Sequence, residues 1–206
     1  MCLQLFSGYA TCQSYGILNK YLYMLIAGID YSLTSPSICI FNSTEAFCFK
    51  RCSFFFLSDV KKNQTMFLNN IYGEAFHDWT SDFSRYENIS DWAMEHLGPC
   101  EQVAIEGYAF GAKGKVFHIA ENTGVLKYRL HQAGIPVEVI PPSAIKKQAS
   151  GKGNANKEEM YKAFVRETFV DLQKVISPGK KDIGNPVSDI VDSYYICKAL
   201  YLKIKN

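Results

Sequence analysis

Four acidic residues stand in this sequence where acids are out of place. Asp30 closes the run Leu25-Ile26-Ala27-Gly28-Ile29, and Glu106 closes Val103-Ala104-Ile105. Both runs are apolar and short, as buried strands are. Asp189 and Asp192 lie three apart in a segment with helical character, so they share one face, bordered by Ile190, Val191, Ile196 and Leu200. Singly, each has an ordinary explanation. An acid at a strand end serves as a turn or cap residue, and Asp189 in the first turn of a helix suits the dipole. Four carboxylates converging on one half-buried point would repel one another strongly. A bound dication removes that conflict, and an all-carboxylate oxygen set suits Mg²⁺ or Mn²⁺ rather than zinc.

A basic constellation lies between these acids. Ser143-Ala144-Ile145-Lys146-Lys147 is followed by Gly151-Lys152-Gly153-Asn154-Ala155-Asn156-Lys157. Its glycines permit close backbone approach to a phosphate, which the lysines would neutralise. Lys162, Lys180 and Lys181 read as solvated surface. A glycine-rich loop from Gly107 to Gly114 carries Tyr108, Phe110, Lys113 and Lys115. It is not a nucleotide-binding P-loop, because Ala109 replaces the first glycine and Val116 the final Ser/Thr.

The elements that must position these residues can be read in order. Met24 opens the first strand. Pro36 to Phe41 and Phe47 to Phe56 read as two more strands, joined by a turn at Asn42-Ser43-Thr44. A long polar and aromatic connection leads to a helix expected from Ser90-Asp91 to the stop at Gly98-Pro99. After the Val103–Glu106 strand and the glycine-rich loop, a helix runs to about Gln132, and a strand spans Pro136 to Ile140. Pro141-Pro142 ends that strand, and a short helical turn follows. Asn156 caps a helix through about Phe169, with Glu158 and Glu159 in its first turn, and Pro186 opens a last helix to about Leu202. Three meandering strands followed by alternating helices and strands predict an α/β fold with a mixed central sheet flanked by helices. Residues 1–23 carry one charge, Lys20, and no period of two or 3.6, so they read as a dispensable, poorly ordered extension before a domain spanning 24–206.

Bulk composition narrows the class. A hydrophobic share of 48% with 20% charged residues is globular, and the run Tyr21–Ile29 is too short to span a bilayer. A net charge of +2 means that affinity for a polyanion must come from clustered lysines. The seven cysteines form no Cys-x-x-Cys pair, which removes a zinc or redox motif; most sit among apolar residues as small buried hydrophobes. Cys48 and Cys52 would face one side of a strand. An intracellular, reducing compartment fits, so the sequons at Asn42, Asn63 and Asn88 are expected to be chance matches. His77, His96, His118 and His131 are scattered without ligand spacing and read as structural or surface residues.

The acidic segments Gly28-Ile29-Asp30-Tyr31-Ser32-Leu33, Val103-Ala104-Ile105-Glu106 and Asp189-Ile190-Val191-Asp192-Ser193 resemble the three acidic motifs of RuvC-like Holliday junction resolvases, in the RNase H-like superfamily. The resemblance spans Leu25 to about Leu200. It implies an RNase H-like fold and an endonuclease that cuts Holliday junctions or other branched DNA by hydrolysis with two Mg²⁺ ions. Asp30 would bridge the ions, and Glu106, Asp189 and Asp192 would complete their shells. It also implies that the segment with Lys146, Lys147, Lys152 and Lys157 contacts scissile-strand phosphates, with Lys113 and Lys115 as further DNA contacts. Tyr108 or Phe110 would stack on junction bases, and the chain would act as a homodimer with the helix from about Val116 to Gln132 as interface. The expected setting is the cytoplasm, or a viral factory for a phage-type member. Alternatives are an RNase H-like nuclease for flaps or RNA–DNA hybrids, with the same acids, and a non-catalytic DNA-binding module. An actin-like ATPase would need a second glycine-rich phosphate loop, which the sequence lacks.

Overall fold

The structure, a computed structural model, describes residues 24–107 and 116–206. The expected N-terminal extension and the loop bearing Tyr108, Phe110, Lys113 and Lys115 lie outside the described residues. Seven strands form one mixed sheet: β1 (Leu25–Asp30), β2 (Ser37–Asn42), β3 (Ser53–Leu57), β4 (Met66–Phe67), β5 (Ile71–Glu74), β6 (Gln102–Glu106) and β7 (Val137–Ile140). Their order across the sheet is β4-β5-β3-β2-β1-β6-β7. β1, β2 and β3 form an antiparallel meander, while β6 pairs parallel with both β1 and β7.

Among the described residues, six α-helices cover the sheet: α1 (Asp82–Leu97), α2 (Val116–Gln132), α3 (Pro142–Ser150), α4 (Lys157–Thr168), α5 (Leu172–Ile176) and α6 (Val187–Lys205). Strand alternation divides the core between the two faces. Ile26, Cys39, Phe41, Phe54, Phe56 and Ala104 pack against α3, α4, α5 and α6. Ala27, Ile29, Ile38, Val103 and Ile105 pack against Ile89, Trp92 and Leu97 of α1 and Leu126 and Leu130 of α2. Aromatic rings lock the first face: Phe164 of α4 meets Tyr194 of α6 edge-on at 5.2 Å, and Phe49 stacks on Phe54 at 5.2 Å. Such pairs contribute about 1 kcal/mol each beyond their burial.

Several elements depart from the sequence reading. α1 begins at Asp82 rather than near Ser90, because Ser81 accepts from the Ser84 N–H and the Ser84 side chain returns a contact to Ser81. Ser90 is inside the helix, donating to the Glu87 carbonyl and accepting from Arg129. The expected strand from Phe47 begins only at Ser53, since Phe49–Arg51 form a 3₁₀ turn. Cys48 and Cys52 flank that turn rather than sharing a strand face; Cys52 is buried and Cys48 exposed. The connection before α1 holds β4 and β5, joined by a turn in which Leu68 and Asn69 both take positive φ. Without a glycine at either position, the sequence carried no signal for it. α5 lies just beyond the helix expected to end near Phe169, in a stretch for which the sequence suggests no element.

Candidate active site

β1 and β6 present their acids by arithmetic. Ile26 faces α6, so Gly28 and Asp30, two and four residues on, face it too. Ala104 faces α6, so Glu106 does as well. The strands are in parallel register with Ile29 opposite Ile105, which sets Asp30 and Glu106 side by side at their carboxyl ends.

α6 delivers the second pair of acids. A Cβ on Gly28 would lie 2.1 Å from the Cys197 nitrogen and 2.7 Å from the Ser193 carbonyl oxygen. Only glycine admits the helix backbone this close to the strand. Ser193 Oγ also meets Ser37 Oγ at 3.0 Å, and Ser37 is the register partner of Asp30. From Ser193 back to Asp189 the helix climbs about 6 Å at 1.5 Å per residue. From Gly28 on to Asp30 the strand advances about 6.6 Å at 3.3 Å per residue. The two distances match, so Asp189 arrives level with Asp30, and Asp192 lies on the same helix face.

The electrostatics follow from this crowding. Asp189 is 5% exposed, while Asp30, Glu106 and Asp192 are half-buried. Burial raises the Asp30 carboxyl well above its usual range, and Asp189, Asp192 and Glu106 each add to it; Lys157 opposes. Burial holds Asp192 at about 7, with further push from Glu106 and Asp189, against Lys157 and Lys146. Asp189 is held at about 6 by burial, opposed by Ser35, Lys157 and Ser188. Glu106 is raised by burial and eased by Lys146.

Hydrogen bonds fix Asp189 on one side only. Ser188 Oγ lies 3.1 Å from Asp189 Oδ1 and 3.1 Å from Asn185 Oδ1, so a single hydroxyl proton serves two acceptors. Lys157 Nζ donates to the same Ser188 Oγ at 3.2 Å. Asp189 Oδ2 is buried with no partner in hydrogen-bond geometry, and Ser35 Oγ, likewise without one, lies close enough to the carboxylate to ease its charge. A buried carboxylate oxygen left unpaired, among three further acids, is a donor set that fits a hard dication. Among the described residues, no three acidic, histidine or cysteine side chains are already gathered around one point as metal ligands. The fold therefore brings the four carboxylates into electrostatic contact without closing a shell.

The basic segment divides in two. Lys157 is the first residue of α4, at the positive end of the helix dipole, where a cation is disfavoured. The capping box between Asn156 and Glu159 holds that end in place, and Glu158 and Glu159 offset the charge. Lys146 on α3 faces Glu106 and Asp192. Lys152, by contrast, is ion-paired to Glu159 at 2.8 Å, and Lys147 is known by its carbonyl, which accepts the Gly151 N–H. The glycines have local duties: Gly151 ends α3 at φ 82°, and Gly153 packs on Ser143. Ser188, Asn185 and Ser35 were not singled out in the sequence, where each is a common polar residue in or beside a turn.

The sheet order β3-β2-β1-β6-β7, with an antiparallel meander continued by parallel strands and acids at the ends of β1 and β6 and on the last helix, defines an RNase H-like fold. Within that class the chain is similar to RuvC proteins. It is 31% identical over 71 residues to the crossover junction endodeoxyribonuclease RuvC of Synechococcus sp. (strain CC9311), covering 34% of this chain and 44% of that protein. It is 35% identical over 81 residues to RuvC of Corynebacterium diphtheriae, covering 39% and 48%. The chain spans about half the length of the curated relatives it matches. No family model matches it. Thermus thermophilus RuvC superposes with a TM-score of 0.56 at 20% identity, over 88% of this chain and 97% of that one. The same protein in complex with a Holliday junction substrate gives 0.57 at 16% identity, over 89% and 97%. These two structures share the fold.

Proposed function

We infer that this chain is a divalent-metal-dependent endodeoxyribonuclease that resolves four-way DNA junctions as a homodimer. One observation carries the reading: four acids from β1, β6 and α6 are crowded at the carboxyl ends of two central strands of a RuvC-like fold, beside two lysines that oppose their charge. Asp30, Glu106, Asp189 and Asp192 would hold Mg²⁺, or Mn²⁺. When bound, such ions activate a water and stabilise the leaving oxygen of an in-line phosphodiester displacement. The acids themselves repel a phosphate until their charge is neutralised. Lys157 and Lys146 offer positive charge on the flank of the site, where a scissile-strand phosphate would lie. Ser188 orients Asp189 and ties it to Lys157. Symmetric cutting of a junction needs two sites, hence two copies. On α2, Phe117 and Tyr128 are 76% and 61% exposed, and Gly124 between them has open space above it. That face supports the expected self-association. The unpaired thiols among the described residues suit a reducing compartment.

Side-by-side digestion of a four-way junction, a flap and an RNA–DNA hybrid tests the reading. Cleavage should require Mg²⁺ or Mn²⁺ and favour the junction with paired, symmetric nicks. Asp30→Asn should bind the junction and not cut it. Preference for the hybrid would overturn the junction assignment, and binding without cleavage by the unaltered chain would make it a silent DNA-binding module.

A further inference from the structure

The apolar stripe of α4 ends on an acid. Met160, Ala163 and Phe164 are buried against the core, and the next position on that face is Glu167. Three donors from α6 converge on its carboxylate. Tyr194 Oη donates to Oε1 at 2.8 Å, Lys198 Nζ to the same oxygen at 2.5 Å, and Tyr195 Oη to Oε2 at 3.4 Å. Both tyrosines are buried, and burial, then Glu167, pushes their phenols up, so they stay protonated donors. This contact joins α4 to α6 at the end of α4 away from the acids.

The same two helices touch again at the site. Lys157 Nζ donates to Ser188 Oγ at 3.2 Å, and Ser188 in turn meets Asp189. The interval between the two contacts is ten residues on both helices, Lys157 to Glu167 on α4 and Ser188 to Lys198 on α6, or about 15 Å along each axis. Two rods running the same way are thus pinned at matching intervals. Between the pins Phe164 meets Tyr194 edge-on at 5.2 Å and serves as a pivot. Glu167 stands about 4.5 Å to one side of Phe164 along α4, and Lys157 about 10.5 Å to the other. A slip of about 1 Å at Glu167 therefore swings the Lys157 end by about 2 Å, more than a hydrogen bond of 3.2 Å can follow.

We propose that Glu167 is a positioning residue: by pinning the last turn of α4 to Tyr194, Tyr195 and Lys198, it sets where the Lys157 amine stands against Asp189 and the scissile phosphate. The proposal rests on the nuclease reading, in which Lys157 offers its charge to that phosphate. Lysine has a long flexible stem, so its charge acts at a defined point only when the helix end that carries it is fixed. Glu167 lies about 15 Å from Lys157 along α4, too far for its own charge to reach the phosphate through salt solution.

A double-mutant cycle tests it. Glu167→Gln is made in the parent chain and in the Lys157→Met chain. Single-turnover cleavage of a four-way junction is then measured in Mg²⁺, at a temperature where circular dichroism shows each chain folded. Glu167→Gln should slow the parent about tenfold and slow the Lys157→Met chain by less than about twofold. Junction affinity in Ca²⁺, with the strands shown intact on a gel, gives the second readout. Its salt dependence should lose close to one phosphate contact when Glu167→Gln enters the parent, and none when it enters Lys157→Met. A purely structural role would lower stability in both backgrounds alike and leave that slope unmoved. Lys198→Met, which removes the cation and leaves the carboxylate its two phenols, carries the test if Glu167→Gln does not fold. Equal slowing in both backgrounds, no slowing in either, or a Lys157→Met chain as fast as the parent refutes the Glu167 assignment alone. A parent chain that cuts no junction in Mg²⁺ or Mn²⁺ refutes the nuclease reading, and the proposal falls with it.

Discussion

Replacing Gly28 by alanine should pull the two halves of the acidic site apart. The added Cβ would stand 2.1 Å from the Cys197 nitrogen, 2.6 Å from its Cα and 2.7 Å from the Ser193 carbonyl oxygen. All three are backbone atoms, so no side chain can rotate away. Restoring an ordinary contact of 3.4 Å requires α6 and β1 to separate by about 1.3 Å. α6 is rigidly packed on both its neighbours and the sheet, so the shift is transmitted to Asp189 and Asp192. Overpacking of this kind costs about 1–3 kcal/mol, and more where backbone meets backbone. A displacement of about 1 Å between reacting groups costs on the order of a hundredfold in rate. Urea unfolding should therefore show a loss above about 2 kcal/mol. Junction cleavage at saturating Mg²⁺ and a temperature where the variant is folded should fall about a hundredfold. The more telling readout is the metal dependence, because separated acids need more Mg²⁺ to bring them together. A variant that folds with parental stability and cuts at the parental rate would falsify the close-approach argument.

Two further expectations follow from the site. The folded-state pKa values of Asp192 and Asp189, about 7 and about 6, lie above the ordinary carboxyl value near 4. The folded chain thus holds more protons than the unfolded one across that interval, and metal-free stability should fall as pH rises from about 4 to about 7, by a few kcal/mol. Saturating Mg²⁺ should flatten the profile; a metal-free stability that rises over the same interval sinks the argument. Ser188→Ala removes the hydroxyl that links Lys157 to Asp189. It should raise the Mg²⁺ concentration for half-maximal binding, measured calorimetrically, by about 10–100-fold. Ser188→Thr should recover most of the loss, and an unchanged Mg²⁺ requirement in the alanine variant would count against the link.

The acidic quartet was legible because each member broke a pattern. An acid terminating an apolar strand is visible in one dimension, and two such strands in parallel register place their ends together without further information. The approach of α6 was also encoded, in Gly28, since a glycine inside a strand marks a place where another backbone comes close. What stayed hidden depended on distant partners. Ser188 and Ser35 acquire a role only from neighbours that tertiary packing supplies. Lys147 and Lys152 share the composition of Lys146 and Lys157 and differ only in where α3 and Glu159 put them. In the fold, β4 and β5 were hidden by brevity and by a turn built from Leu68 and Asn69 without glycine. α1 was read eight residues short because its cap is a serine pair in a run of polar residues.

The burial of α6 has a consequence for how the site behaves in time. Val187 through Cys197 are buried almost without interruption, and the helix threads between the sheet and α4. Segments of this kind exchange their amide hydrogens only when the whole domain opens. Asp189 and Asp192 are thus carried by a deeply buried helix that should exchange slowly, whereas Lys152 lies in an exposed stretch before α4 that should open more readily. The acidic half of the site is present whenever the chain is folded, and the basic half, at Lys152, is the more adaptable one, as the proposed branched substrate would require.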